Sequence, residues 1–231
     1  MAILGISSAT KTVSVGLVDD GKIVADFSYS GKEAFTEDLI TYIESLFLEV
    51  KAKITAIAVA SGPGSYNGLR GGLATAKTIA QVLNVPILSV STLEAIAYNL
   101  RNTTATILSV TNARRDEFNF ALFSSSHETI SRITSDQVMK LDKMIAVLSK
   151  VQGELYLCGE TEDVYAELTR SNKATKIRLA PKEFSIAKGI YVALIGDKLL
   201  QEGIIANPMT LSPKYSVEPN IREFKKKPQT L

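Results

Sequence analysis

Three stretches of this sequence carry residue types and spacings that could do chemistry. "GISSATKTVSV" places Ser7, Ser8, Thr10 and Thr12 between two β-branched runs. Hydroxyls and backbone N–H groups converging in such a turn can hold a phosphate, and they serve equally in a plain hairpin turn. "TNARRDEFNF" gathers Asn112, Arg114, Arg115, Asp116 and Glu117 at a strand end. Arginine forks suit phosphates and carboxylates; a salt-bridged hairpin turn is the plainer alternative. "ASGPGSYNGLRGG" sets Gly62, Pro63, Gly64, Ser65, Tyr66, Gly68 and Arg70 between a β-branched run and a helical pattern. The first turn lacks an acid. Phosphoryl-transfer sites need Mg²⁺, usually held by a carboxylate, and Ser7 stands where that carboxylate is expected.

The glycine stretch fails both familiar phosphate templates. A P-loop requires G-x-x-x-x-G-K-[ST]; here Gly68 is followed by Leu69. A dinucleotide fingerprint requires G-x-G-x-x-G; after Gly62 and Gly64, position 67 is Asn67. The glycines and Pro63 still set an unusual backbone path, and Gly64 and Gly68 are expected at positive φ.

Composition narrows the chemistry further. With one histidine, His127, and one cysteine, Cys158, among 231 residues, the chain alone cannot build a His- or Cys-rich zinc site. Only a carboxylate magnesium site stays open. His127 sits in the polar "SSSHET" and reads as a loop residue. The single cysteine excludes an internal disulfide and fits a reducing compartment. Net charge is +2, too small to argue for nucleic acid. The first residues lack a basic n-region, and no apolar run reaches a bilayer's width. A cytoplasmic, globular protein is expected, of one large or two small domains.

The elements that must position these residues repeat. "AILGIS", "TVSVGLV" and "KIVADFSY" read as strands, the last two joined at "DDG". A helix over about 33–51, the strand "ITAIAVA", the glycine loop, a helix to about 83, the strand "VPILSV" and a short helix complete a first half. The second half has strand-like "TATILSV", "EFNFALFS" and "HETISRIT", then a helix over about 136–150 and the strand "ELYLCG". A helix over about 161–170, a weak strand at "TKIRLA" and a helix over about 185–201 follow. The order is duplicated without sequence similarity, dividing the chain into 1–102 and 103–231. Two meanders extended by parallel strands and flanked by helices describe an α/β, actin-like ATPase architecture, which by itself assigns no function. The proline-containing tail from Asn207 reads as extended.

Two helices offer more apolar surface than one face needs. Gly68, Gly72, Ala76 and Ala80 recur every four residues on one stripe, flanked by Leu69, Leu73, Ile79 and Leu83. Such a stripe lets another helix approach, from this chain or another. On the preceding helix Phe35, Leu39, Tyr42, Ile43, Leu46 and Val50 share a face, with Ile40 and Phe47 about a quarter turn away and Leu48 opposite. An amphipathic helix needs one stripe; the surplus suggests a second buried face. The alternative is a helix sandwiched within its own domain.

"SGPGSYNGLRGGLATAKTIA" followed by "VPILSVSTLEAIA" closely resembles the signature of the bacterial TsaB/YeaZ family. Supporting matches lie at "ILGISSATKTVSVGL", "EAFTEDLITYIESLF", "NARRDEFNFALF" and "LSPKYSV", and the resemblance is good over about the first 125 residues. It implies the actin-like fold and a non-catalytic subunit of the machinery that makes tRNA threonylcarbamoyladenosine. It further implies pairing with a metal-binding TsaD-family paralogue and binding of a TsaE-family ATPase, with tRNA met through the complex. The paralogue's histidine pair is absent here, which also argues against a metalloprotease. No cofactor is expected for this chain alone; ATP or ADP could sit at a subunit boundary. The family's usual Asp-Thr-Ser is Ser7-Ser8-Ala9 here, and its usual Asp before Ala-Arg-Arg is Asn112. Its usual Thr in the motif is Asn67, its Ile or Leu is Gly71, and a histidine is replaced within "EAFTED". The lost carboxylates weigh against unaided Mg-nucleotide binding.

The expected function is therefore a scaffold. Phe35, Leu39, Ile40, Ile43, Phe47, Leu69, Gly72, Leu73, Ala76 and Ala80 would meet the paralogue, or a second copy in a homodimer. The rival is an independent actin-like ATPase or small-molecule kinase. A third reading puts the basic tail "REFKKKPQT" on tRNA, against a solvated terminus.

Overall fold

The structure is a computed structural model and describes residues 1–30, 38–50, 52–114, 116–171 and 176–216. Phe35, Arg115 and the basic tail lie outside the described residues. In the first half β1 (Ala2–Ser7), β2 (Thr12–Asp19) and β3 (Lys22–Ser30) form a meander. Helix α1 (Asp38–Glu49), β4 (Ile54–Gly62), α2 (Tyr66–Leu83), β5 (Ile87–Ser91) and α3 (Thr92–Ala97) follow. The second half runs β6 (Ala105–Arg114), β7 (Glu117–Ser126), β8 (Thr129–Arg132), β9 (Gln137–Lys140), α4 (Leu141–Leu148), β10 (Glu154–Gly159), α5 (Glu162–Ser171), β11 (Lys176–Leu179) and α6 (Gly189–Gln201).

Both sheets have the same plan. The first has the order β3-β2-β1-β4-β5, and the second β11-β10-β6-β7-β8, with β9 pairing β7. In each, the opening strand pairs antiparallel with its successor and parallel with the strand after the first long helix. The duplication read from the sequence is therefore present. Its details differ at β9, which takes residues assigned above to a helix; α4 starts only at Leu141. His127 lies in the turn between β7 and β8 at φ 50°, exposed.

The strands of the first sheet end at Ser91 and those of the second begin at Ala105, but the packing does not divide there. Helix α6 lies on β1, β2 and β4 of the first sheet, and α3 on β6 and β7 of the second. A Cβ on Gly5 would stand 2.0 Å from the Gly189 carbonyl oxygen, and one on Gly16 2.2 Å from the Ile190 nitrogen. Glycine inside a strand marks such a close backbone approach. Ser14 caps the contact, its Oγ accepting from the Gly189 N–H at 2.8 Å. The middle core joins Ile3, Ala58 and Leu88 of one sheet to Ile107, Phe123 and Cys158 of the other through α3 and α6. Two outer cores lie under α1 and α2 and under α4 and α5.

Candidate partner-binding site

Strand β4 ends at Gly62, whose φ is 131°. The chain turns through Pro63 and Gly64 to Ser65, which caps α2 by accepting from the Gly68 N–H. This loop is fastened to the turn between β1 and β2. The Ser65 N–H donates to the Ala9 carbonyl at 2.7 Å, and the Ser8 Oγ donates to the Gly68 carbonyl at 2.7 Å. A Cβ on Gly64 would stand 2.2 Å from the Ala9 oxygen, and one on Gly68 2.0 Å from the Ser8 oxygen. The expectation of positive φ at Gly64 and Gly68 is thus corrected. Only Gly62 of the three has it; the other two are required by backbone contact.

The small-residue stripe is corrected as well. It faces this chain's own sheet: a Cβ on Gly72 would meet the Ser8 Oγ at 2.1 Å, and Ala76 and Ala80 are buried with Leu4, Ile6 and Val59. Leu39, Ile43, Leu69 and Leu73 are buried too. Seven of the ten expected interface residues, Leu39, Ile43, Leu69, Gly72, Leu73, Ala76 and Ala80, are therefore already used inside the fold. Small side chains bring a helix close to whatever it packs on, and here that is β1 and β4.

Other residues of the two helices face outward. On α2 they are Tyr66, Arg70, Ala74, Thr78 and Val82, spaced by four on one row. On α1 they are Ile40, Glu44, Phe47 and Leu48. Ile40 is 62% exposed, Leu48 79% and Val82 78%, far more than apolar side chains spent in a core. Ile40 and Phe47 were legible as surplus; Val82 was not, because it lies on the side of α2 opposite Ala80.

In the two polar turns most polar groups are engaged within the chain. Ser7 is fully buried, and its hydroxyl has no partner among the described residues. The Ser8 hydroxyl is spent on Gly68, and Thr10 bonds locally with Thr12. In the second turn the Asn112 N–H donates to the Glu160 carboxylate at 2.6 Å, so the chain's own anion already occupies it. Arg114 opposes Glu117 in the strand register. Among the described residues no group of three His, Cys, Asp or Glu could hold a metal. Cys158 is buried, and burial pushes its thiol pKa up to about 12; such a thiol is no nucleophile at neutral pH.

An open cavity of about 390 Å³ lies where the halves meet, lined by Ser89, Ser91, Glu94, Arg132, Asp136 and Lys214 among others. Arg132 donates to Glu94 at 2.7 Å and Asp136 at 2.5 Å, and the Ser91 Oγ donates to Asp136 at 2.8 Å. Burial works to lower the Arg132 pKa, but the two carboxylates outweigh it and hold it raised. This network ties α3 to the β8 side.

The chain matches the family model described as TsaD: tRNA N6-adenosine threonylcarbamoyltransferase over residues 22–224. It is 26% identical over 179 residues to the tRNA threonylcarbamoyladenosine biosynthesis protein TsaB of Bacillus subtilis (strain 168), covering 76% of this chain and 78% of that one. Among solved structures, YeaZ from Pseudomonas aeruginosa superposes with a TM-score of 0.76 at 18% identity, covering 93% of this chain and 99% of that one. A ROK hexokinase from Thermus thermophilus shares the fold more distantly, with a TM-score of 0.51 at 11% identity over 88% of this chain and 100% of that one. Two mixed sheets, each flanked by helices, together with these likenesses make the fold actin-like. With its glycine motif fastening α2 to the first turn and a family model spanning both halves, the chain belongs to the TsaD: tRNA N6-adenosine threonylcarbamoyltransferase family, as a TsaB/YeaZ protein.

Proposed function

We propose that this chain acts in tRNA threonylcarbamoyladenosine modification as a non-catalytic scaffold subunit. It pairs with a metal-binding TsaD-family paralogue, the pair recruits a TsaE-family ATPase, and tRNA is met by the assembled complex in the cytoplasm. Alone, the chain pairs with a second copy through the same face. The observation that carries this reading is the outward apolar face of α1 and α2, with Ile40 62% and Val82 78% exposed. Exposed apolar patches of this kind mark protein partners. The residue types support a non-catalytic role: the chain has one histidine, and positions 7 and 112 carry Ser7 and Asn112 in place of carboxylates. Nucleotide, where it acts, sits at a subunit boundary.

The test is reconstitution. The chain co-purifies with the paralogue, and tRNA modification in vitro requires it. Ile40→Asp with Val82→Asp abolishes both, with the monomer still folded by circular dichroism. Wild-type pairing by that double variant removes the face assigned here. Calorimetry with Mg-ATP on the isolated chain gives no binding; tight binding with turnover would replace the scaffold by an ATPase.

A further inference from the structure

After α6 the chain returns across the first half. The Ala206 N–H donates to the Ile87 carbonyl at 2.9 Å, and Leu211 packs against the core under α1 and α2. The Lys214 N–H then donates to the Ser61 carbonyl at 2.7 Å. The Lys214 carbonyl oxygen lies 2.4 Å from where a Cβ on Gly62 would be, so only glycine lets this strand of chain pass. Next to it, the Tyr215 ring stacks on Tyr66, centroids 5.0 Å apart and planes at 26°. Tyr66 is the first residue of α2; its hydroxyl accepts from Arg70 at 2.6 Å, and that guanidinium lies 5.1 Å from the ring centroid. The loop before α2 is therefore held from two sides. The β1–β2 turn grips one, and residues 207–216 form a strap over the other.

We propose that this strap, through Tyr215, positions the first turn of α2 for partner pairing. Tyr215 is a positioning residue, supplied by the far end of the chain to a face built by the first half. The inference rests on the pairing proposed above. Its physical basis is preorganisation. Tyr66 and Arg70 are exposed and of the types that dominate interface energetics. An exposed arginine loses much rotamer freedom when it is fixed. Stacking by Tyr215 and the bond from Arg70 fix both before the partner arrives, which lowers the cost of association.

The experiment uses the full chain and measures its affinity for the paralogue together with amide hydrogen exchange of residues 62–69 in the unbound chain. Tyr215→Ala weakens pairing about three- to tenfold, the loss of one aromatic stack, and speeds exchange in the α2 first turn. Tyr215→Phe keeps the ring and restores both. Tyr215→Leu, which keeps apolar bulk without stacking, behaves as Tyr215→Ala and serves if the alanine variant does not fold. Wild-type affinity in Tyr215→Ala overturns the proposal, whatever the exchange does. Weakened pairing with unchanged exchange also overturns it, because Tyr215 would then touch the partner directly. Failure of the wild-type chain to pair at all sinks the pairing reading; wild-type pairing with an unaffected variant sinks only this one.

Discussion

Helices α1 and α2 on the first sheet correspond to α4 and α5 on the second, and the pairs differ in what they show to solvent. Both bury an inner row: Leu39, Ile43, Leu69 and Leu73 in one, Met144, Leu148, Val164 and Leu168 in the other. Outward, α4 and α5 present Asp142, Lys143, Ala146, Glu162, Asp163 and Ala166. None of the large apolar side chains exposed among the described residues lies on them. Outward, α1 and α2 present Ile40, Phe47, Leu48, Tyr66 and Val82. The helices also sit differently. Gly64, Gly68 and Gly72 let α2 touch the β1–β2 turn directly, over 18 residues against 10 for α5. One duplicated plan thus has a closed side, polar outward, and a side that leaves large apolar residues outward.

The comparison breaks most visibly at Gly72. Gly72→Leu drives a side chain into Ser8 and Ile6 and lowers stability by about 3 kcal/mol or more, at the top of the overpacking range. Ala166→Leu, outward on α5, stays within about 0.5 kcal/mol. Urea unfolding measures both; equal effects would mean that the α2 stripe is not a core contact. Gly72, expected from the sequence to meet a partner, thus acts on the fold of its own chain.

Leu48→Asp, at a side chain 79% exposed, lowers affinity for the paralogue at least tenfold, about 1.4 kcal/mol, and leaves the unfolding midpoint unchanged. Ala166→Asp, on the closed side, leaves affinity as it was. Surface titration of both variants against one partner decides which face binds, and equal losses would erase the distinction.

The middle core, shared by both sides, responds to pH through Cys158. Its folded pKa of about 12 lies above the ordinary 9.0. The folded chain keeps the thiol proton where the unfolded chain loses it. Its contribution is therefore complete below about pH 9 and is lost as pH climbs towards 12. Unfolding midpoints from pH 8 to pH 10 (roughly the window opened by that shift) fall more steeply for the wild type than for Cys158→Ala. Parallel slopes would show that the thiol is solvated.

The smallest effect is at the helix starts. Ser65→Ala removes the α2 cap and costs about 1 kcal/mol, whereas Lys140→Ala costs nothing measurable because Lys140 makes no side-chain cap bond to α4. Thermal melts of the two variants give the difference directly; a silent Ser65→Ala would place the hold on α2 in the glycine contacts alone.

The sequence by itself determined the duplicated order of strands, because alternation, turn residues and helical periodicity are local signals. It determined the family, through the residues from Ser61 to Ala80 and "LSPKYSV", and it excluded a His-based metal site by count. Tertiary structure alone decided which way the helices face. A stripe of glycine and alanine states that something approaches closely, but not what, and here it is β1 rather than a partner. Only the fold shows that "LSPKYSV" and the glycine motif, some 150 residues apart, meet at Lys214 and Ser61. It alone shows that α6 returns to the first sheet through Gly5 and Gly16. Such contacts depend on where distant backbones pass, and no local pattern encodes that.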